Sequence, residues 1–150
     1  MESLASRHGA TGFMAWLAVY SVVLARMSGR RELVMGNSVA GRDHQATEKL
    51  VGFFINNLVV KVTADQQRSF AAHLESVRDS VLTSFEHGEL PFQFLAQGLG
   101  RHLDLSRNPI YQNGFTYQNM PRQAEHPNGL RLEPVSVPVK ATHLDLHLLM

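Results

Sequence analysis

The chain has 150 residues, enough for one domain with a core of its own and short for two. Hydrophobic residues make up 44% and charged residues 18%, too apolar for a disordered chain, and a net charge of +1 gives no ground for a nucleic-acid or membrane-surface partner. The sequence contains no cysteine, which excludes disulfides and thiolate chemistry and is compatible with a reducing, cytoplasmic setting.

Gly12 to Ala25 is uncharged and mostly apolar. It is shorter than the roughly 20 residues a membrane span needs. Met1 to Ser6 holds Glu2 and no Lys or Arg, so a secretory leader is disfavoured. The spacing of Phe13, Trp16, Leu17, Tyr20, Leu24 and Met27 predicts a helix over Thr11 to Met27. Met14, Ala18, Val22 and Ala25 make its other side apolar too, which predicts burial all round. Ser28-Gly29 ends it, with Arg26, Arg30 and Arg31 near the negative end of the helix dipole.

Glu32 to Val39 reads as a strand and Leu58 to Val62 as a second, β-branched one. The connection from His44 to Asn57 has room for a short helix around Ala46 to Leu50. Ser69 to Glu86 is the clearest amphipathic helix, with Phe70, Leu74, Val77, Val81, Leu82 and Phe85 as its stripe and Gly88 as its capping glycine. Pro91 suits the first turn of a short helix reaching about Leu99. Ile110 to Gln118, Arg131 to Val139 and Thr142 to Met150 read as strands, with a loop from Asn119 to Gly129. The order α-β-β-α-α-β-β-β predicts helices layered on a mixed sheet. The last strand has no terminator, so the segment reads as cut.

Few residues carry chemistry. His143 and His147 fall on one face of a strand about 13 Å apart, too far for one metal ion. Gly98-Leu99-Gly100 fits a helix end better than a dinucleotide loop. His87-Gly88-Glu89-Leu90-Pro91-Phe92 is explained equally by a helix end and a proline-started helix. In Val51-Gly52-Phe53-Phe54-Ile55-Asn56-Asn57, two amides close a strongly apolar run. A buried amide there must be hydrogen-bonded, either to the backbone of a crossing loop or to a substrate carbonyl.

In this order and spacing, three stretches resemble the closing motifs of the condensation domains of nonribosomal peptide synthetases. Gly52-Phe53-Phe54-Ile55-Asn56 is similar to Gly-x-Phe-Val-Asn-Thr, with Asn57 for Thr. His87, Leu90, Pro91 and Phe92 match His/Asn-Gln-Asp-x-Pro-Phe-Glu, with Gly88, Glu89 and Gln93 departing from it. Asp104, Ser106, Arg107, Asn108 and Pro109 match Arg-Asp-x-Ser-Arg-Asn-Pro-Leu, with Leu103 and Ile110 departing. Leu33 to Arg42 resembles the family's strand before the first motif, Phe115 to Asn119 the strand after the third, and Thr142 to Leu146 a later Lys-Phe-Asp-Leu segment. No Glu-Gly-His-Gly-Arg-Glu signature of epimerisation domains is present near Arg42.

The resemblance implies an α/β fold, a chloramphenicol acetyltransferase-like lobe with a mixed sheet flanked by helices. It implies the second of two lobes, between which carrier-protein-bound donor and acceptor meet in a tunnel. The family's catalytic His-His-x-x-x-Asp-Gly is not in these 150 residues. The expectation is therefore one partial domain over 1–150, a fragment, split-gene product or remnant, with no catalytic residue of its own. Asn56 is the leading tunnel candidate, with Gly36, Ser38 and Arg42 supporting the wall or its loops. No metal and no directly bound cofactor is implied; phosphopantetheine would arrive on peptidyl carrier proteins, and the other partner would be the first lobe. Two rivals remain open: a non-catalytic module that docks a carrier protein or completes another lobe, and a piece of a coenzyme A-dependent acyltransferase of the same fold.

Overall fold

Alternation along two strands sets the faces of the sheet. β1 (Glu32–Val39) and β2 (Asn56–Thr63) pair antiparallel, with Leu33 opposite Val62, Met35 opposite Val60 and Asn37 opposite Leu58. These six side chains are buried on one face. Val34, Gly36 and Ser38 share the other face with Asn57, Val59 and Lys61, because successive side chains of a strand point to opposite sides. β3 (Asn113–Thr116) and β4 (Leu146–Leu149) run parallel to β1, giving the order β2-β1-β3-β4. The computed structural model describes residues 1–42, 45–47, 49–99, 106–118, 135 and 143–150.

Helices cover the buried face. α2 (Gly12–Ser28) packs on β1 and against α3 (Phe70–Glu86), which lies on β2. Thr11 caps α2 by accepting the N–H of Met14 at 3.3 Å, and Gly29 closes it in the left-handed conformation. Phe115 of β3 is fully buried between the layers, its ring 5.4 Å from that of Phe13 and 5.9 Å from that of Tyr20. α4 (Phe92–Gly98) lies beside β2. The mixed sheet with flanking helices is the predicted architecture. Among the described residues no helix is long and apolar enough to cross a membrane.

Several expectations are corrected. A first helix, α1 (Glu2–Arg7), has no counterpart in the sequence reading; it is tied to α3, where Arg78 donates to the His8 carbonyl at 2.8 Å and His8 pairs with Glu75 at 2.9 Å. α2 is not buried all round. Val23 is 46% and Met27 75% exposed, because its neighbours cover the sides carrying Leu17, Tyr20 and Leu24 and carrying Met14, Ala18 and Ala25 but not the remaining one. The helix expected around Ala46 to Leu50 is a single 3-10 turn, Gln45–Thr47. Gly88 is no left-handed cap; His87 holds the capping position at φ −104°. Leu82 and Phe85, placed on the buried stripe, lie half exposed, although Ser84 between them donates to the Val59 carbonyl of β2 at 2.9 Å. The strand expected over Ile110 to Gln118 shrinks to β3, because the Asn108 side chain accepts the N–H groups of Ile110 and Tyr111 and turns the backbone there. The strand over Thr142 to Met150 is shortened to β4. The strand at Arg131 to Val139, but for Val135, and the loop at Asn119 to Gly129 lie outside the described residues.

Candidate functional site

Asn56 opens β2 on the helix-covered face, where the chain leaving α3 crosses it. Its Nδ2 donates to the carbonyls of Gly88 at 2.7 Å and Leu90 at 3.0 Å. Its Oδ1 accepts from the N–H of Asn57 at 2.9 Å and of Phe92 at 3.3 Å. An amide has two donor hydrogens and two acceptor lone pairs, so every position is occupied within the chain. The bonds stitch the first motif to the second. His87 and Pro91 are exposed at the two sides of this crossing.

The second motif is joined to the third by rings. Phe92 meets Tyr111 edge-on with centroids 5.7 Å apart. Tyr111 in turn is aimed by Asn108, which accepts its N–H at 3.1 Å and whose carbonyl takes Gln112 Nε2 at 2.7 Å. The Tyr111 ring lies flat on β1 at Gly36, where a Cβ would stand 2.0 Å from its Cε2. That close approach is why a side chain is missing at Gly36. Burial pushes the Tyr111 phenol above its ordinary value. Asn56, Phe92, Tyr111 and Asn108 thus form one brace running across the end of the sheet. Pro109 belongs to the same turn, while Ser106 and Arg107 are exposed, Arg107 facing Asp145 at 3.8 Å. Asp104 lies outside the described residues.

Ser38 and Arg42 leave β1 on the side facing the long connection. Ser38 Oγ donates to Asn57 Oδ1 at 2.8 Å across the open face. Arg42 donates to the carbonyls of Thr47 and, at 2.9 Å, Leu50, and its guanidinium stacks on Phe54 at 4.6 Å. Gly41 makes that turn with φ +59°, and a Cβ there would fall 2.0 Å from the Phe54 carbonyl oxygen. Arg42 is therefore the clamp of the apolar loop that precedes Asn56.

Two cavities of about 480 Å3 each adjoin at Gly41. One lies between residues 53–57 and 88–93 and takes in Asn56; the other lies between the start of α2 and residues 37–42 and takes in Ser38 and Arg42. Gly36 lines neither. The sequence signalled Asn56, Arg42 and Asn108. It placed Phe54 and Asn57 in the first motif without showing their contacts with Arg42 and Ser38, and it held no sign of Tyr111. It also gave none of the pair at the α2–α3 contact, where Ser21 Oγ donates to the Ala18 carbonyl at 2.7 Å and meets His73 Nε2 at 2.9 Å. Burial pushes the His73 imidazole below its ordinary value. His147, weighed above as a metal ligand, meets Thr116 Oγ1 at 2.9 Å.

The family model described as the Condensation domain matches residues 1–143. Tyrocidine synthase 3 of Brevibacillus parabrevis is 42% identical over 116 residues, 77% of this chain and 2% of that protein. Among solved structures, the condensation domain from the Monacolin K polyketide synthase MokA is 26% identical, with a TM-score of 0.70 over 77% of this chain and 27% of that one. The X-domain in complex with OxyB from teicoplanin biosynthesis is also 26% identical, with a TM-score of 0.81 over 97% of this chain and 32% of that one. The chain thus spans a small part of each protein it matches. It belongs to the condensation-domain family.

Proposed function

We propose that the chain is the second lobe of a condensation domain of a nonribosomal peptide synthetase. In the joined domain, the amine of one carrier-bound aminoacyl group attacks the thioester carbonyl of another, the amide bond forms and the carrier's phosphopantetheine thiol leaves. The observation that carries this reading is the brace, in which Asn56 of the first motif is hydrogen-bonded to the second, and Phe92 of the second is linked through the Tyr111 ring to Asn108 of the third. Of the brace residues only Tyr111 is titratable, and burial favours the neutral form of its phenol, so the base for the attack and the charge stabilisation belong to the first lobe, which bears the His-His-x-x-x-Asp-Gly motif. Within this lobe Asn56 acts through the loop it holds, and Arg42 through the loop it clamps; Gly36 and Ser38 shape the face between them. The partners are peptidyl carrier proteins and the first lobe, in the cytoplasm.

The test is a condensation assay with loaded donor and acceptor carrier proteins, read by mass spectrometry. The chain alone is expected to give no dipeptidyl product above the no-enzyme rate, and the chain joined to a first lobe of the family is expected to give it. Product from the chain alone would overturn its incompleteness, and no product from a folded, joined domain would overturn the lobe reading.

A second reading is a binding module without chemistry. It is favoured by the X-domain likeness, which extends over 97% of this chain against 77% for the MokA condensation domain, and that X-domain was solved with a protein bound to it. A joined domain that binds a partner protein tightly yet never condenses loaded carriers would select it.

A further inference from the structure

A cavity of about 260 Å3 lies where β2 runs into α3, at the far end of β2 from Asn56, and none of its lining belongs to the brace or to the loop that Arg42 clamps. Val22 and Ala25 of α2 and Ala64 form its apolar side. Phe70 supplies a ring, tilted against that of His73 with centroids 6.3 Å apart. His73 is buried, yet it lines the cavity. Ser21 has one hydroxyl hydrogen and gives it to the Ala18 carbonyl at 2.7 Å, so at the 2.9 Å contact its oxygen accepts from His73 Nε2–H. Burial holds the imidazole below its ordinary value and so uncharged at neutral pH, which leaves Nδ1 as a lone-pair acceptor. Nδ1 meets no hydrogen-bond partner among the described residues. It is not sealed from solvent as the unpartnered Tyr20 hydroxyl is, so it opens on the cavity.

Charge gathers on the outer side of the same cavity. Arg26 and Arg68 are exposed members of its lining. Among the described residues no hydrogen bond or ion pair engages the Arg26 guanidinium, and Arg68 Nε stands 3.9 Å from Asp65, at the limit of an ion pair. Asp65, the one carboxylate among the described lining residues, already pairs with Arg31 at 2.8 Å and accepts the N–H of Gln67 at 3.1 Å. Positive charge is therefore in excess at the rim, and a neutral acceptor waits at the inner end. We propose that this cavity binds a small single-ring carboxylic acid with a hydroxyl at its far end, the carboxylate facing Arg26 and Arg68 and the hydroxyl donating to His73 Nδ1. Guanidiniums favour a carboxylate and disfavour an ammonium group, and a neutral imidazole nitrogen needs a donor. The volume is below the range that holds drug-sized ligands and suits one ring, with Phe70 and the alanines against its faces. This site is separate from amide bond formation and does not depend on it.

The test is a saturation-transfer NMR titration of the chain joined to a first lobe of the family, so that self-association of the isolated chain does not interfere. The probe is 4-hydroxybenzoate; benzoate lacks the hydroxyl and 4-hydroxybenzamide lacks the charge. 4-Hydroxybenzoate is expected to bind about fivefold more tightly than benzoate, the effect of one hydrogen bond, and about tenfold more tightly than the benzamide, the effect of a charge-assisted one. Arg26→Glu is expected to weaken both carboxylates about tenfold and to leave the benzamide and the condensation rate nearly unchanged. His73→Phe is expected to bring 4-hydroxybenzoate and benzoate to equal affinity; if that variant unfolds, the Arg26→Glu comparison decides. No saturable binding of 4-hydroxybenzoate, equal binding of the three probes, or binding indifferent to Arg26→Glu would overturn the proposal. Binding is read without loaded carriers. A joined domain that binds the probe and never condenses leaves this site standing, and one that condenses without binding it leaves the condensation reading standing.

Discussion

A residue that uses all its hydrogen-bonding capacity inside the chain has none left for a substrate, and Asn56 is in that position. Asn56→Ala removes four bonds and leaves the carbonyls of Gly88 and Leu90 without their donor. The expected loss is about 1–3 kcal/mol, read as a lower denaturation midpoint, with the condensation rate of a joined domain falling as the loop loosens. An unchanged midpoint with a slower single-turnover rate would instead assign Asn56 a direct contact with substrate. Gly36 makes a steric counterpart. Gly36→Ala puts a methyl group into the Tyr111 ring, so either β1 or the ring must shift, at about 1–3 kcal/mol. Tyr111→Ala should make Gly36→Ala nearly silent, since the two changes act on one contact. Additive losses in that double-mutant cycle would show that the ring is not what excludes a side chain at Gly36.

Elements were legible in proportion to their periodicity. α2, α3 and β1 carry several repeats of a helical or an alternating pattern, and their ends fall within a residue or so of the sequence reading. α1 has six residues, fewer than two turns, and Ala5 is its one buried residue, too little to show as a pattern. β3 was overdrawn because apolar residues continue into Ile110 and Tyr111, while the Asn108 side chain, not the pattern, decides where the backbone turns. The motif residues were found by likeness; their joining through Tyr111 and Phe92 was invisible because it depends on tertiary contact. The same holds for His73, whose burial between α2 and α3 has a pH consequence. Its folded-state value lies below the ordinary 6.5, so as the pH falls the unfolded chain takes the proton first. The stability it contributes is complete above the unfolded value and is lost as the pH drops from there toward the folded one. His73→Gln keeps a hydrogen-bonding partner for Ser21 and removes the titration. Chemical denaturation across a pH series is expected to show wild-type stability falling below about pH 6.5 and a flatter curve for the variant. Parallel curves would exclude His73 as the source.

On the scale of the whole molecule, the helix face of the sheet is closed and one end of it is not. Phe115 and its neighbours form a continuous buried core. The clamped loop before β2 carries the opposite character, with Val51 fully exposed and Phe53 88% exposed, and Ile55, Leu90 and Phe94 exposed around the same crossing. Apolar side chains gathered at one end of a domain mark a surface that another protein surface covers. The chain also matches about a quarter to a third of the solved chains it resembles in fold, so most of each of those chains lies outside the matched part. β4 adds a strand at the edge of the described sheet, a second place where another chain can pair. The isolated chain is therefore expected to self-associate and to bind a hydrophobic dye, measured by size-exclusion chromatography with light scattering and by dye fluorescence. The loop and the strand edge can be separated as causes. A Val51→Ser, Phe53→Ser double variant leaves the core untouched and should reduce both association and dye binding if the loop is responsible. A first lobe added in trans should reduce dye binding of the wild type and have little effect on the variant. A wild-type chain that runs as a clean monomer and binds no dye would show that the exposed loop needs no partner, and the two-lobe reading would lose its physical motive.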